Sequence, residues 1–204
     1  MRFGLAGAFV VAALVGGCNS ATYDPSADAN FTARDKKEFA KQSFVNVLPE
    51  PEHLRQVVSD PTNEKPGTII VDTQNRWLYY VLPEGKAIRY GVATGKEAFA
   101  WSGVAKIGRK EQWPEWIPTE GIQSRMRQAG FSLPSHMAGS AENPLGARAL
   151  YLFENGQDTL FRIHGTNEPE LIGSAVSSGC IRMLNADVID LFNRAQMGGK
   201  VIVM

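Results

Sequence analysis

What this chain lacks narrows it first. It has no surplus of charge: 21 Lys and Arg stand against 21 Asp and Glu, a formal net charge of zero with His neutral. Proteins that neutralise nucleic-acid phosphates carry a cationic excess, so the balance argues against a nucleic-acid partner. Cysteine is scarce, and two residues cannot build a disulfide framework. Histidine is scarce too, and the three present, at these separations from Cys180, do not make the ligand set of a metal site. No apolar run reaches the roughly 20 residues that a membrane-spanning helix needs. Internal repeats, low-complexity tracts and coiled-coil heptads are also missing from the sequence.

What remains is a globular composition. The 204 residues are 44% hydrophobic and 21% charged, enough for one domain with a real core. Twenty Gly and 11 Pro imply many turns and lean towards a mostly β, sandwich-like domain with one or two short helices.

The first residues set the compartment. Met1 and Arg2 precede an apolar run from Phe3 to Val15, and no acid occurs before Asp24. A cationic start, a short apolar stretch and then small residues describe an export signal. Val15-Gly16-Gly17-Cys18-Asn19 resembles a bacterial lipobox, in which small residues precede a cysteine that is lipidated and becomes the new N-terminus. On this reading residues 1–18 are the signal and Cys18 is the lipidation site. An ordinary signal cleaved near Cys18 or after Ala21 is the alternative. The expected location is the periplasm or cell envelope, with the membrane touched only through the lipid anchor.

Residues 19–66 read as a flexible tether and a Pro-rich lead-in. Asn19 to about Arg34 is small and polar. Arg34 to Val47 mixes charges with Phe39, Phe44 and Val45, as a short helix or a segment laid on the domain would. Pro49, Pro51, Pro61 and Pro66 argue against a regular element in the lead-in, and His53 within it is expected to be solvated.

Residues 67–204 carry the domain. Thr68–Asp72, Trp77–Leu82 and Ala87–Thr94 are β-rich runs joined by short turns, which predicts an antiparallel meander. Further strands are expected near Val104–Ile107, Ala149–Phe153, Thr159–His164 and Lys200–Val203. Helices are expected over Thr119–Ala129, stopped by Gly130, and over Asp187–Ala195, capped by Asn185 and ended by Gly198. The second would bury Val188, Ile189, Phe192 and Ala195 on one face.

The chemistry concentrates between Arg162 and Asn185. His164 ends a predicted strand, and Cys180 follows sixteen positions later behind Ser177-Ser178-Gly179. By itself Cys180 reads as a small core residue, and His164 as a hydrogen-bonded strand-end histidine. As a pair they suit nucleophilic catalysis. A thiol is a strong nucleophile but mostly protonated at neutral pH, and an imidazole can take its proton and return it to a leaving amine. Small residues before the thiol let main-chain N–H groups approach a developing oxyanion. If Cys180–Met183 is extended, Cys180 and Arg182 share a face, where Arg182 is a fixed cation for the thiol or for a substrate carboxylate.

The wider word resembles the active-site signature of the L,D-transpeptidase (YkuD-type) catalytic domain family: a His, a spacer, then Ser or Thr, His, Gly, Cys, a hydrophobic residue and Arg or Asn. His164, Ser177, Gly179, Cys180, Ile181 and Arg182 match it, over a slightly short spacer, and Ser178 replaces the second His. Val92-Ala93-Thr94-Gly95-Lys96, Asn143-Pro144-Leu145-Gly146 and Ala149-Leu150-Tyr151-Leu152 also resemble the family, so the likeness runs from about Thr68 to Val203.

The resemblance implies that Cys180 is the nucleophile and His164 the general base and acid. The Gly165 carbonyl would orient the imidazole, and the N–H groups of Ser178, Gly179 and Cys180 would form the oxyanion hole. Arg182, Ser177 and Asn143 are the candidate substrate-binding residues, with turn-setting as the alternative for Asn143. It implies a peptidoglycan L,D-transpeptidase that forms a thioester on a tetrapeptide stem, releases D-alanine and passes the stem to an amine. That amine belongs to another stem, to an outer-membrane protein or to a free D-amino acid. No metal or organic cofactor is implied. A non-catalytic wall-binding lipoprotein and an L,D-carboxypeptidase are the competing readings. His136 is expected in a loop over the site, and Trp101, Trp113 and Trp116 as anchors of a loop insertion.

Overall fold

A computed structural model describes residues 30–41, 49–95, 102–177 and 179–204, without the side chains of residues 176 and 177. The expected signal, Cys18, Trp101 and Ser178 lie outside the described residues.

The stretch read as tether and lead-in contains regular structure docked on the domain. Helix α1 (Ala33–Phe39) begins with a reciprocal cap, in which the Thr32 hydroxyl accepts from the Asp35 N–H and the Asp35 carboxylate accepts from the Thr32 N–H. The same carboxylate receives both terminal nitrogens of the Arg148 guanidinium at 2.9 and 2.7 Å, and the Trp113 indole N–H at 2.8 Å. Arg148 is only 1% exposed, so this is a buried ion pair. Phe31 and Phe39 pack beside it against Trp113.

Strand β1 (Gln56–Ser59) then pairs antiparallel with β4, which spans Lys86–Gly95. The proline argument fails here because a proline removes only its own N–H, and Pro49, Pro51 and Pro61 all lie outside the four paired residues. His53 is also not solvated. It is buried, stacked on Trp77 with ring centroids 4.8 Å apart, and pressed between Gly91 and Gly173.

The predicted meander is present as β2 (Ile69–Asp72), β3 (Trp77–Val81) and β4. From β2 the sheet continues through β10 (Lys200–Val203), β5 (Gly103–Gln112), β6 (Arg148–Glu154) and β7 (Gln157–His164). The short β9 (Ile181–Met183) lies parallel to β7 and antiparallel to β4, which closes the sheet on itself. The length of β4 permits this. Up to Gly91 it pairs with β3, Val92 and Ala93 pair with β9, and Thr94 and Gly95 meet β8 (Ala175–Ser177). The fold is therefore mostly β, barrel-like to sandwich-like, with three α-helices among the described residues.

Two helices complete it. Helix α2 (Glu120–Gln128) is capped by Thr119, buries no residue, and lies in the excursion between β5 and β6. Helix α3 (Asn185–Arg194) packs Val188 and Leu191 into the main core with Ile69, Leu78, Leu150 and Ile163. Such fully buried aliphatic side chains each contribute about 1.5–3 kcal/mol. Ile189 turns instead to Trp113 and Ala147. All residues from Ala186 to Leu191 are buried, so α3 is enclosed where one apolar stripe was expected. Its inward carboxylates explain how: Asp187 and Asp190 meet the Arg55 guanidinium from the lead-in at 3.5 and 3.1 Å, and Asp190 also accepts from the Tyr90 hydroxyl at 2.7 Å.

Candidate active site

His164 ends β7 and is buried. Its Nδ1 lies 2.6 Å from the Gly165 carbonyl oxygen. A carbonyl only accepts, so Nδ1 carries the proton, and in the neutral ring Nε2 keeps its lone pair. The ladder between β7 and β9 pairs Ile163 with Ile181 and His164 with Arg182. One step back along both chains, Cys180 stands beside Arg162. Partners across a parallel ladder project to one side, so Arg182 and His164 share a face with Arg162, two residues back along β7. Cys180, directly before β9, takes a hydrogen bond from the Arg162 main chain and feels both arginine charges. Sixteen residues of separation thus collapse to one pair of neighbouring strands. Before Cys180, Gly179 has φ of 125°, a conformation that side-chain-bearing residues avoid.

Burial controls the charge state of both groups. It pushes His164 down to about 4, although the Gly165 carbonyl favours the protonated ring, and the cations Arg182 and Arg162 push the same way as burial. It pushes the Cys180 thiol up, offset by the Arg162 main chain and by the Arg162 and Arg182 charges. At neutral pH the thiol and the imidazole are therefore both uncharged.

Two pH effects are expected. Alkylation of Cys180 by iodoacetamide should climb only above the ordinary cysteine range of about 8.5, with no plateau near pH 6 of the sort a thiolate–imidazolium pair gives. Stability should be greatest between the two titrations. As pH falls from about 6.5 towards 4, the unfolded chain binds the His164 proton first, so stability drops. As pH rises beyond the ordinary thiol range, the unfolded chain loses the Cys180 proton first, and stability drops again. A pH series of urea melts, compared with Cys180→Ala and His164→Gln, checks both limbs.

The other expected site residues divide. Gly165 stands where its carbonyl holds the imidazole. Arg182 shares the face of His164, and its guanidinium donates to the Glu168 carboxylate at 2.6 Å. Asn143 lies in the excursion between β5 and β6. It is fully buried, its amide donates to the Pro114, Met137 and Ala138 carbonyls, and its Oδ1 accepts from the Leu145 N–H. Those bonds commit both of its amide hydrogens and tie the turn to the β5–β6 excursion. Trp113 is a buried anchor, and His136 is exposed near Glu115. Asn185 does not cap α3: Leu184 holds the N-cap position, and the Asn185 amide is turned elsewhere.

Arg162 is the contributor that sequence reasoning passed over. The period-two alternation of β7 would have placed it on the His164 face.

A closed, mostly β sheet thus has an imidazole at the end of β7 and a thiol directly before the neighbouring parallel strand β9, the makings of a candidate cysteine–histidine site. The model of the L,D-transpeptidase catalytic domain (YkuD) matches residues 66–203, and the chain belongs to that family. The probable L,D-transpeptidase YbiS of Escherichia coli strain K12 is 32% identical over 159 residues, 76% of this chain and 48% of that protein. The chain thus spans about half the length of the curated relatives it matches. A solved structure from Brucella melitensis, named a probable carnitine operon oxidoreductase, is 42% identical with a TM-score of 0.51, covering 79% of this chain and 99% of that one. The L,D-transpeptidase of Enterococcus faecium, as a cysteine-to-serine mutant, shares the fold at 18% identity and a TM-score of 0.50, covering 69% of this chain and 50% of that one.

Proposed function

We propose that this chain is an exported peptidoglycan L,D-transpeptidase in which Cys180 is the nucleophile and His164 the proton carrier. The observation that supports this most is the tautomer. With Nδ1–H committed to the Gly165 carbonyl, Nε2 is free to accept the proton of the Cys180 thiol. The names of the curated relatives point to the same reaction class.

The steps follow from that geometry. Nε2 takes the Cys180 proton as sulfur attacks the carbonyl on the L-centre of the third residue of a tetrapeptide stem. The oxyanion is met by the main-chain N–H groups of Ser178, Gly179 and Cys180. The C–N bond breaks, and the imidazolium returns its proton to the departing D-alanine amine, leaving a thioester. An acceptor amine attacks the thioester, gives its proton to Nε2 and so to the thiolate, and the resting pair is restored. Arg182 and Ser177 are assigned to the substrate, with Arg182 exchanging Glu168 for a stem carboxylate. The acceptor is the diaminopimelate of a second stem or the amine of an outer-membrane protein.

In this reading residues 1–18 are the export signal, Cys18 carries lipid, and residues 67–204 are the catalytic domain. No helix of the described residues is long and apolar enough to cross a membrane.

Muropeptide profiling tests the reading. In a host lacking related enzymes, the protein should produce new dimers joined between third residues, and Cys180→Ala should abolish them. Shortened tripeptides without dimers would assign hydrolysis instead. Identical profiles from wild type and variant would leave wall binding without catalysis.

A further inference from the structure

The Asn185 amide lies between two stretches of main chain that belong to the active site. Its Oδ1 accepts the Ala147 N–H at 2.9 Å, and its Nδ2 donates to the Thr166 carbonyl at 2.7 Å. One side chain at the start of α3 therefore ties the turn before β6 to the turn after β7.

The fit leaves no slack. A Cβ added at Gly146 or at Gly165 would run into Asn185 Oδ1. At Gly146 it would also lie 2.6 Å from the Thr166 nitrogen and 2.7 Å from the Gly165 carbonyl carbon. Glycine at both positions lets the two turns close on the amide. Gly165 is fixed on its other side as well, where its N–H donates to the Arg148 carbonyl at 3.1 Å. The peptide between Gly165 and Thr166 carries the carbonyl that holds His164 Nδ1; the peptide before it is held by the Arg148 carbonyl of β6, and the peptide after it by Asn185.

We propose that Asn185 is a positioning residue: it locks the Gly165–Thr166 peptide so that the Gly165 carbonyl holds the imidazole in the tautomer and orientation that aim Nε2 at Cys180. The inference rests on His164 being the base of the proposed reaction. The side chain touches no reacting atom. It acts through the Thr166 carbonyl, one peptide plane beyond the carbonyl that holds the imidazole, and small misplacements of a catalytic group cost up to about 100-fold in rate.

Asn185→Asp carries the test. It keeps the volume and the Oδ1 acceptor for Ala147 but turns the Thr166 contact from donation into carboxylate–carbonyl repulsion. Two readouts are taken on the full chain. The first is the low-field proton resonance of His164 Nδ1–H, assigned by its loss in His164→Gln. The second is the rate constant for acylation of Cys180 by a carbapenem at saturation, followed by mass, together with the concentration for half-maximal rate.

In Asn185→Asp the resonance should shift or broaden, and the acylation constant should fall about 10- to 100-fold at unchanged half-saturation. A folded variant with an unmoved resonance and acylation within twofold of wild type would overturn the proposal. Should Asn185→Asp not fold, Gly165→Ala, alone and combined with Asn185→Ala, replaces it. The added methyl should disturb the resonance more with Asn185 present than without it, and equal disturbance in both backgrounds would refute the contact. Failure of the underlying function is distinguishable. A wild-type protein that no carbapenem acylates would sink the reaction, while the resonance would still report on Asn185.

Discussion

A chain shortened to residues 61–204 should fail to reach the native state, although it keeps everything the family model matches. The deletion removes the partners of two buried charge clusters. Arg148, 1% exposed, loses the bidentate carboxylate of Asp35, and Asp187 and Asp190 lose the Arg55 guanidinium. Removing one member of a buried ion pair costs about 3–5 kcal/mol, because the remaining charge stays in a poorly solvating place. Two such losses add to roughly 6–10 kcal/mol against a total domain stability of about 5–15 kcal/mol. The deletion also takes away β1 and leaves Trp77 without the His53 ring stacked on it.

Single substitutions separate the contributions. Asp35→Ala and Arg55→Ala should each lower the melting temperature by about 6–20 °C, at roughly 2–4 °C per kcal/mol for a chain of this size. Asp35→Leu combined with Arg148→Met should recover a large part of the loss, since neither charge is then left behind. Calorimetry of the four proteins checks this. A shortened chain that melts cooperatively within a few degrees of the full one would refute the structural role of the lead-in.

The largest effect on activity is expected at His164. His164→Ala should lower the rate of Cys180 acylation by about 100- to 10,000-fold near neutral pH, the range for removing a general base. Because the resting thiol is protonated, little thiolate exists to react without that base. The residual rate should rise with pH, as the thiol ionises unaided. In the wild type, acylation should be nearly flat through neutral pH and fall off towards about 4, where the imidazole takes up its proton. Stopped-flow acylation across pH measures both profiles. A wild-type rate that halves near 6.5 would show that the imidazole is solvated rather than enclosed.

Much of this was legible in the chain, and for definite reasons. The runs at Ile69–Asp72, Trp77–Val81 and Lys86–Gly95 announce themselves by β-branched and aromatic content between turn residues, and they form the predicted meander. His164 and Cys180 were proposed as the reacting pair from their immediate neighbours, because the chemistry needs a nucleophile, a base and a small-residue approach within one short segment.

Other features were hidden because polar contacts at long sequence range leave no periodic trace. α1 is held by Asp35 reaching Arg148 across 113 positions, which hydropathy cannot register, although Thr32 and Asp35 have the spacing of a cap. His53 looked solvated because its lead-in is rich in proline, yet Gly91 and Gly173 open the space that it fills. Asn185 stood where a helix cap belongs, and the Ala147 N–H and the Thr166 carbonyl of two distant turns took up its amide instead.

The sequence by itself determined the strands of the meander, the absence of any charge surplus, and which sulfur and imidazole are the candidates for a reacting pair. Only the tertiary structure decided where they lie and what holds them. Closure of β9 between β4 and β7 sets the register that pairs His164 with Arg182 and seats Cys180 against the Arg162 main chain, and burial there makes both groups neutral. Local residue preferences fix which segments become strands. Register, dielectric surroundings and the partners of buried charges arise from which segments pack together, and a linear pattern does not carry that information.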